Sequence, residues 1–299
     1  MKPQVEDWRD IREHLRSGRV KGFGAGPGRR VYALICLGAE DESWTIRRTP
    51  CDWLVLAAGP EEWDLEEYRI RDQLDNFDFV QPIPNGLLLA TGRCEYSEPC
   101  RPNARLFHPD GTMTGELLLG DGIQDIQTTT SGEIWVSYFD EGIFGNLGWH
   151  RPIGANGLLR FNQRGDRLYE YGPASGLQSM VDCYAMNAVS EEELWCYYYT
   201  EFPLVRMVGD RIVESWECPI KGAAVFATDG HRVLMQGGYE QRHEWSLLTV
   251  ERNGRIRVDW RGRIDSDGAL DESRVTARGP FLWFLKDGII FHTDFRRWR

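Results

Sequence analysis

Acidic side chains recur at two places in this chain, and they are the groups best placed to do chemistry. Asp78, Asp125 and Asp182 each stand at the start of an apolar run, and Glu95, Glu141, Glu201 and Glu240 each follow one, with Glu61 as a further member. Gathered round one mouth, such carboxylates would focus negative potential and hold a divalent cation, a basic peptide or an amine. The plainer alternative is that turns favour acidic residues and that Asp caps nearby backbone amides. A second concentration lies in residues 139–156, where Asp140, Glu141, Asn146, Trp149, His150 and Arg151 share a Gly-rich stretch. A loop this long in a compact domain is often functional, so Trp149, His150 and Arg151 are expected to wall a pocket. The alternative is a loop packed over its own sheet by Phe144 and Trp149.

Catalytic patterns are weak. The six His, at 14, 108, 150, 231, 243 and 292, show neither HExxH nor HxH spacing, and no GxSxG elbow occurs. Tyr197-Tyr-Tyr199 alternates across a strand and reads as core and rim rather than a cage. Gly22-Phe-Gly-Ala-Gly-Pro-Gly28 superficially resembles a dinucleotide loop, which needs a strand before it and a helix opening after it, but Pro27 and Gly28 intervene and residues 30–37 read as a strand. It reads as a flexible connection.

The net charge of −11 argues against nucleic-acid binding, which rests on neutralising phosphates. The seven Cys are odd in number and form no CxxC; several sit inside apolar runs, as Cys196 does, and behave as small hydrophobes. That usage suits a reducing compartment. With no apolar leader and no run of about 18 apolar residues, the expectation is a cytoplasmic, membrane-free monomer.

The elements that would position these residues are almost all strands. Residues 3–17 are the exception: Val5, Trp8, Ile11 and Leu15 recur at helical spacing, predicting a short amphipathic helix within residues 1–18 that packs on the domain. From 19 to 299, β-branched and aromatic runs alternate with Gly, Asp, Asn and Pro turns. One unit repeats: strand, turn, very hydrophobic strand, loop, third strand, tight hairpin, fourth strand. Its third-to-fourth-strand hairpins fall at 110, 165, 209 and 253, close to the period of four-stranded blades. The last unit, from 273 to 293, stops after three strands. Ring closure by an early strand, 20–24 or 31–37, would complete it and remove exposed sheet edges. The fold class is therefore all-β, a single β-propeller of four-stranded antiparallel blades. Six blades are favoured, and five result if the strands within 31–73 serve elsewhere.

Ile123-Gln-Asp-Ile-Gln-Thr-Thr-Thr-Ser-Gly-Glu-Ile-Trp-Val-Ser-Tyr-Phe-Asp-Glu-Gly142 resembles the repeat of two-component-regulator and related NHL-like or WD40-like propellers, with its Ile-x-Asp element, Gly turn, Ile-Trp-Val and closing Gly. The likeness weakens at Asp182 with Leu194-Trp195, and at Phe281-Leu-Trp283. It implies a ring that binds a ligand or a protein, and no particular reaction. The expected function is non-catalytic binding of a protein or small-molecule ligand, basic ones included, by an acidic loop face carrying residues 139–156, Glu95, Glu201 and Glu240. No cofactor is expected on this reading. The competing reading is a metal-dependent hydrolase or lactonase of the six-bladed kind, with a divalent cation such as calcium held by Glu141, Asn146, Asp182 and Glu201. A sugar-binding propeller is a third reading, suggested by the 12 Trp.

Overall fold

The strands grade from apolar to polar along each repeat. Ile134–Tyr138 is buried throughout, whereas Arg167–Glu170, two strands later, is largely exposed. A sheet packed on both faces needs this gradient, because inner strands meet neighbours and the outermost strand meets water. The computed structural model describes residues 3–39, 41, 43, 45–60, 65–174, 176–239, 241–252, 254–265 and 268–298. It forms six four-stranded antiparallel sheets, the blades of an all-β propeller.

The chain divides into two compact units, residues 13–172 and residues 1–12 with 173–299. The chain begins with β1 (Glu6–Asp10). In residues 13–172 the first blade is β2 (Arg19–Ala25), β3 (Val31–Cys36), β4 (Ile46–Ala58) and β5 (Glu66–Asp75). The second is β6 (Phe79–Ile83), β7 (Gly86–Ala90), β8 (Ala104–Phe107) and β9 (Met113–Leu117). The third is β10 (Ile123–Thr128), β11 (Ile134–Tyr138), β12 (Leu158–Phe161) and β13 (Arg167–Glu170), with α1 (Asp140–Phe144) between β11 and β12. In the other unit the fourth blade is β14 (Asp182–Ala188), β15 (Glu193–Tyr199), β16 (Pro203–Val208) and β17 (Arg211–Glu217). The fifth is β18 (Phe226–Thr228), β19 (Arg232–Gln236), β20 (Trp245–Val250) and β21 (Ile256–Gly262). The sixth is β22 (Arg274–Arg278), β23 (Phe281–Lys286) and β24 (Ile289–Asp294), completed by β1.

That completion corrects the reading of the first residues. Residues 3–17 form no α-helix: Glu6–Asp10 is a strand paired antiparallel with β24, and Arg12–Leu15 is a single 3-10 turn. The free edge of β24 supplies backbone partners that an isolated short helix would lack. Register slips between Asp7 and Arg9, leaving Trp8 as an inserted residue, and Val5 packs with the cluster that holds Leu282 and Phe284. Trp8 packs against Trp283 and His292, with ring centroids 6.2 and 5.8 Å apart, and Ile11 is fully buried. Thr293 Oγ1 donates to Gln4 O at 2.5 Å, fastening the strand at its start. Residues 20–24 fall instead in β2 and residues 31–36 in β3, which makes the first blade complete and the count six.

The glycines of 22–28 also have a different part from the one their spacing suggested. Gly22 and Gly24 lie inside β2, where a Cβ would stand 2.4 Å from Asp78 O and 2.7 Å from Val80 O. They are small so that the inner strands of the first two blades can approach. The cores below follow the aromatic runs. Trp53, Phe77 and Phe107 meet edge to face in residues 13–172, and Trp195 stacks on Trp216 at 5.2 Å in the other unit.

Candidate binding faces

The connection from second to third strand and the connection between blades emerge at the same end of a blade. In residues 13–172 this end carries the segments 91–103, between β7 and β8, and 139–157, between β11 and β12. They are tied by a charged network. Asp121, whose side chain is almost wholly buried, accepts from Arg93 Nε at 2.9 Å, from Arg93 Nη2 at 3.1 Å and from the Cys94 amide at 2.7 Å. Arg93 Nη2 also lies 2.6 Å from Glu141 Oε2, and its guanidinium sits over the Phe139 ring at 5.5 Å. A hydrogen bond from Asn146, assisted by the charge of Arg93, holds the Glu141 carboxyl below its ordinary range against the opposing effect of burial.

Two glycines allow this crossing. Gly122 has φ 70°, and a Cβ on it would stand 2.3 Å from Gly142 N; a Cβ on Gly142 would stand 2.6 Å from Asp121 O. Above the crossing, Trp149 is buried, donates from Nε1 to Cys94 O at 2.6 Å, and meets Tyr96 edge-on at 5.3 Å. The Tyr96 amide donates to Leu147 O at 2.9 Å. Asn103, also buried, ties the segment below: its Nδ2 donates to Thr91 O and Gly120 O, and its Oδ1 accepts from the Leu119 and Gly120 amides.

Beside this scaffold is a cleft of about 380 Å³, lined by Asp75, Arg93, Tyr96, Arg101 and Asn103 among others. Asp75 lies 3.0 Å from Arg101 and 3.3 Å from the buried Arg105, which also reaches Glu116 at 3.3 Å. Burial keeps the Asp75 carboxyl above its ordinary range in spite of the two guanidinium groups. Glu95, which lines the cleft, is exposed, as are Glu98, which accepts from the Tyr96 hydroxyl, and Asp140 at the start of α1; Tyr96 is 43% exposed.

The anticipated residues thus separate. Glu141 and Asn146 come together. Trp149 supports the cleft from behind Tyr96, while His150 and Arg151 are exposed and do not line it. Phe144 is 67% exposed. Asp78 and Asp125 behave as caps: Asp78 Oδ2 accepts from the Gly92 amide at 2.9 Å and Asp125 Oδ1 from the Ile126 amide at 2.8 Å. Glu61 and Glu240 lie outside the described residues. Among the described residues no group of three or more His, Cys, Asp or Glu side chains is arranged to hold a metal ion. Arg93, Asp121, Asp75 and Arg101 were not anticipated; their partners are 26 and 28 positions away, and no local pattern signals them.

In the unit of residues 1–12 and 173–299 the corresponding end is aromatic. The turn between β15 and β16 places Glu201 at φ 63° and Phe202 at φ 55°. Phe202 is buried against Tyr184, Tyr197, Tyr199 and Tyr239, with centroids 5.4–6.2 Å away. Tyr197 OH donates to Ile220 O at 2.6 Å, and the hydroxyls of Tyr184 and Tyr239 hydrogen-bond to each other. Asp182 is partly buried in β14, opposite Tyr199, and Glu201 is exposed.

No family model matches the sequence, and no curated protein matches it. Solved structures do. The β-propeller domain of Myceliophteria thermophila Cps50 (Swd1) is similar with a TM-score of 0.54 at 10% identity, over 94% of this chain and 98% of that one. The WD40 domain of Toxoplasma gondii coronin is similar with a TM-score of 0.49 at 11% identity, over 95% of this chain and 70% of that one. At such identity the likeness to the Cps50 domain is one of fold, and that fold is the β-propeller.

Proposed function

We propose that this propeller is a non-catalytic binding platform, and that it takes a basic protein segment at the mouth of the cleft in residues 13–172. The observation that carries the reading is Tyr96: an exposed ring, held rigid from behind by Trp149, flanked by the exposed carboxylates Glu95 and Glu98 and faced by the 139–157 segment with Asp140. A preorganised aromatic side chain with charges at its rim is the usual composition of a protein-binding hot spot. The net charge of −11 favours a basic partner. Propellers serve many functions, so the fold supports binding in general and the site must supply the specificity.

The test is fluorescence anisotropy with lysine-rich and glutamate-rich peptides. The intact chain should bind the lysine-rich peptides, and Tyr96→Ala or the triple variant Glu95→Lys, Glu98→Lys, Asp140→Lys should weaken this about tenfold or more, equivalent to ~1.4 kcal/mol. Equal binding by the triple variant, or a preference for the acidic peptides, overturns the reading. Exposed positions are chosen because deleting residues 143–155 would remove the buried Trp149.

A further inference from the structure

Cys36 ends β3 and Cys51 lies in β4. Cys36 pairs in register with Trp53, so Cys51 is its diagonal neighbour across the two strands. Both are free thiols, buried at 0% and 6% exposure, and their Sγ atoms are 3.6 Å apart. Gly38 packs over the pair, and a Cβ there would stand 2.4 Å from Cys51 Cβ. The third component is Arg47, itself 3% exposed, whose Nη1 lies 3.6 Å from Cys36 Sγ. Its Nη2 donates to Ala39 O at 2.7 Å and its Nε to Thr49 O at 3.3 Å, which fix the guanidinium beside the sulfur.

We propose that Cys36 and Cys51 form a redox modification site, in which hydrogen peroxide converts the dithiol reversibly to a disulfide. Sulfurs in van der Waals contact need to close by only about 1.5 Å to reach a disulfide bond length. A cation against one sulfur favours its thiolate, the form that reacts. The Cys51 hydrogen bond first, and then the Gly38 backbone and the Arg47 charge, bring the Cys36 thiol down to about 6 against the opposing effect of burial. Cys51 is pushed up and stays a thiol. In the first step the Cys36 thiolate attacks one peroxide oxygen; the O–O bond breaks, giving Cys36 sulfenic acid and hydroxide, which takes up a proton as water. In the second, Cys51 sulfur attacks Cys36 sulfur; the S–S bond forms, the S–OH bond breaks, and the hydroxide leaves as water with the Cys51 proton. Two thiols and one peroxide give one disulfide and two waters. Peroxide is a small uncharged oxidant, which suits a buried pair of which Cys51 is the slightly accessible member.

The experiment treats the full folded chain with hydrogen peroxide, blocks remaining thiols with N-ethylmaleimide, and analyses the unreduced tryptic digest by mass spectrometry. Trypsin separates the two cysteines at Arg47 and Arg48. The expected result is a linked pair of peptides carrying Cys36 and Cys51, lighter by two hydrogens and released by dithiothreitol, while Cys196 and Cys218 remain thiols. Cys51→Ala should abolish the link and let dimedone trap a sulfenic acid on Cys36. The proposal is overturned if both cysteines stay reduced in peroxide. It is equally overturned if the oxidised product links other cysteines instead, or if Cys36 passes to sulfinic acid while Cys51 is still present. Because the linked peptide is read in the unsubstituted chain, the result does not depend on whether the variant folds.

Discussion

Two blades that follow each other in sequence solve the same problem with opposite materials. Between β11 and β12 the chain takes the long path 139–157 and is held by charges, with Asp121 and Glu141 converging on Arg93. Between β15 and β16 it turns within residues 200–202 and is held by rings, with Phe202 set among four tyrosines. A long segment has too few apolar side chains to bury its backbone, so polar groups must satisfy one another, and a cleft is left beside them. A short turn can drop one ring into the core, at a cost of roughly 1–3 kcal/mol for each residue forced into left-handed backbone. The first arrangement should answer to charge and pH, the second to ring volume.

The sharpest way to break this comparison is Phe202→Ala. It removes the ring while keeping the two left-handed residues, so it should cost ~3–5 kcal/mol in urea unfolding. A cost below about 1 kcal/mol would mean that the rings do not hold the turn.

Asp121→Asn comes next. It leaves the shape but deprives Arg93 of its buried partner and turns an amide hydrogen toward existing donors. The expected loss is about 2–3 kcal/mol, below the full cost of breaking a buried pair because Arg93 keeps Glu141 and some solvent. Hydrogen exchange should quicken at Cys94 and Tyr96. Unchanged exchange there would remove Asp121 from its place as the tie between the segments.

These two residues also show what the sequence can convey. The third blade was legible from residues 123–142, since Ile-Trp-Val runs and Gly turns are local signals, and the hairpins expected at 110, 165 and 209 each fall between a third and a fourth strand. The first strand was not, because Val5, Trp8, Ile11 and Leu15 fall at helical spacing while the edge of β24 that pairs with it lies at the other end of the sequence. Asp125 could be read as bonding a nearby backbone amide, since its partner is the next residue, whereas the Gly92 amide that Asp78 holds is 14 positions away. The Arg93–Asp121 pair could not, because two residues 28 positions apart meet only once blades are packed. Phe202 was hidden for another reason: a Phe before Pro203 looks like the start of a strand, and nothing in the composition marks a left-handed turn.

Glu141→Gln sharpens the charged side with a smaller effect. Glu141 is partly exposed, so its link to Arg93 should contribute no more than about 1 kcal/mol. Its folded carboxyl is held below the ordinary range, first by Asn146. The contribution is therefore complete above the unfolded carboxylate value and is lost as pH falls through the lower folded value. Urea titrations of Glu141→Gln and the parent chain should differ at neutral pH and converge in acid. A difference that grows on acidification would reverse the sign of the coupling.

Tyr239→Phe should have the smallest effect. It removes one hydroxyl from the Tyr184–Tyr239 hydrogen bond while leaving the ring, which is 53% exposed, in edge contact with Phe202 and Tyr184. Both hydroxyls reach solvent, so water replaces the lost partner and the change should stay within ~0.5 kcal/mol. The smallness is the informative part. If ring volume holds this face, trimming an oxygen should be nearly silent where trimming the Phe202 ring is not. A loss above about 1.5 kcal/mol would show that the tyrosine hydroxyls form a polar network after all, and the two faces would then differ in the groups they use but not in the kind of force.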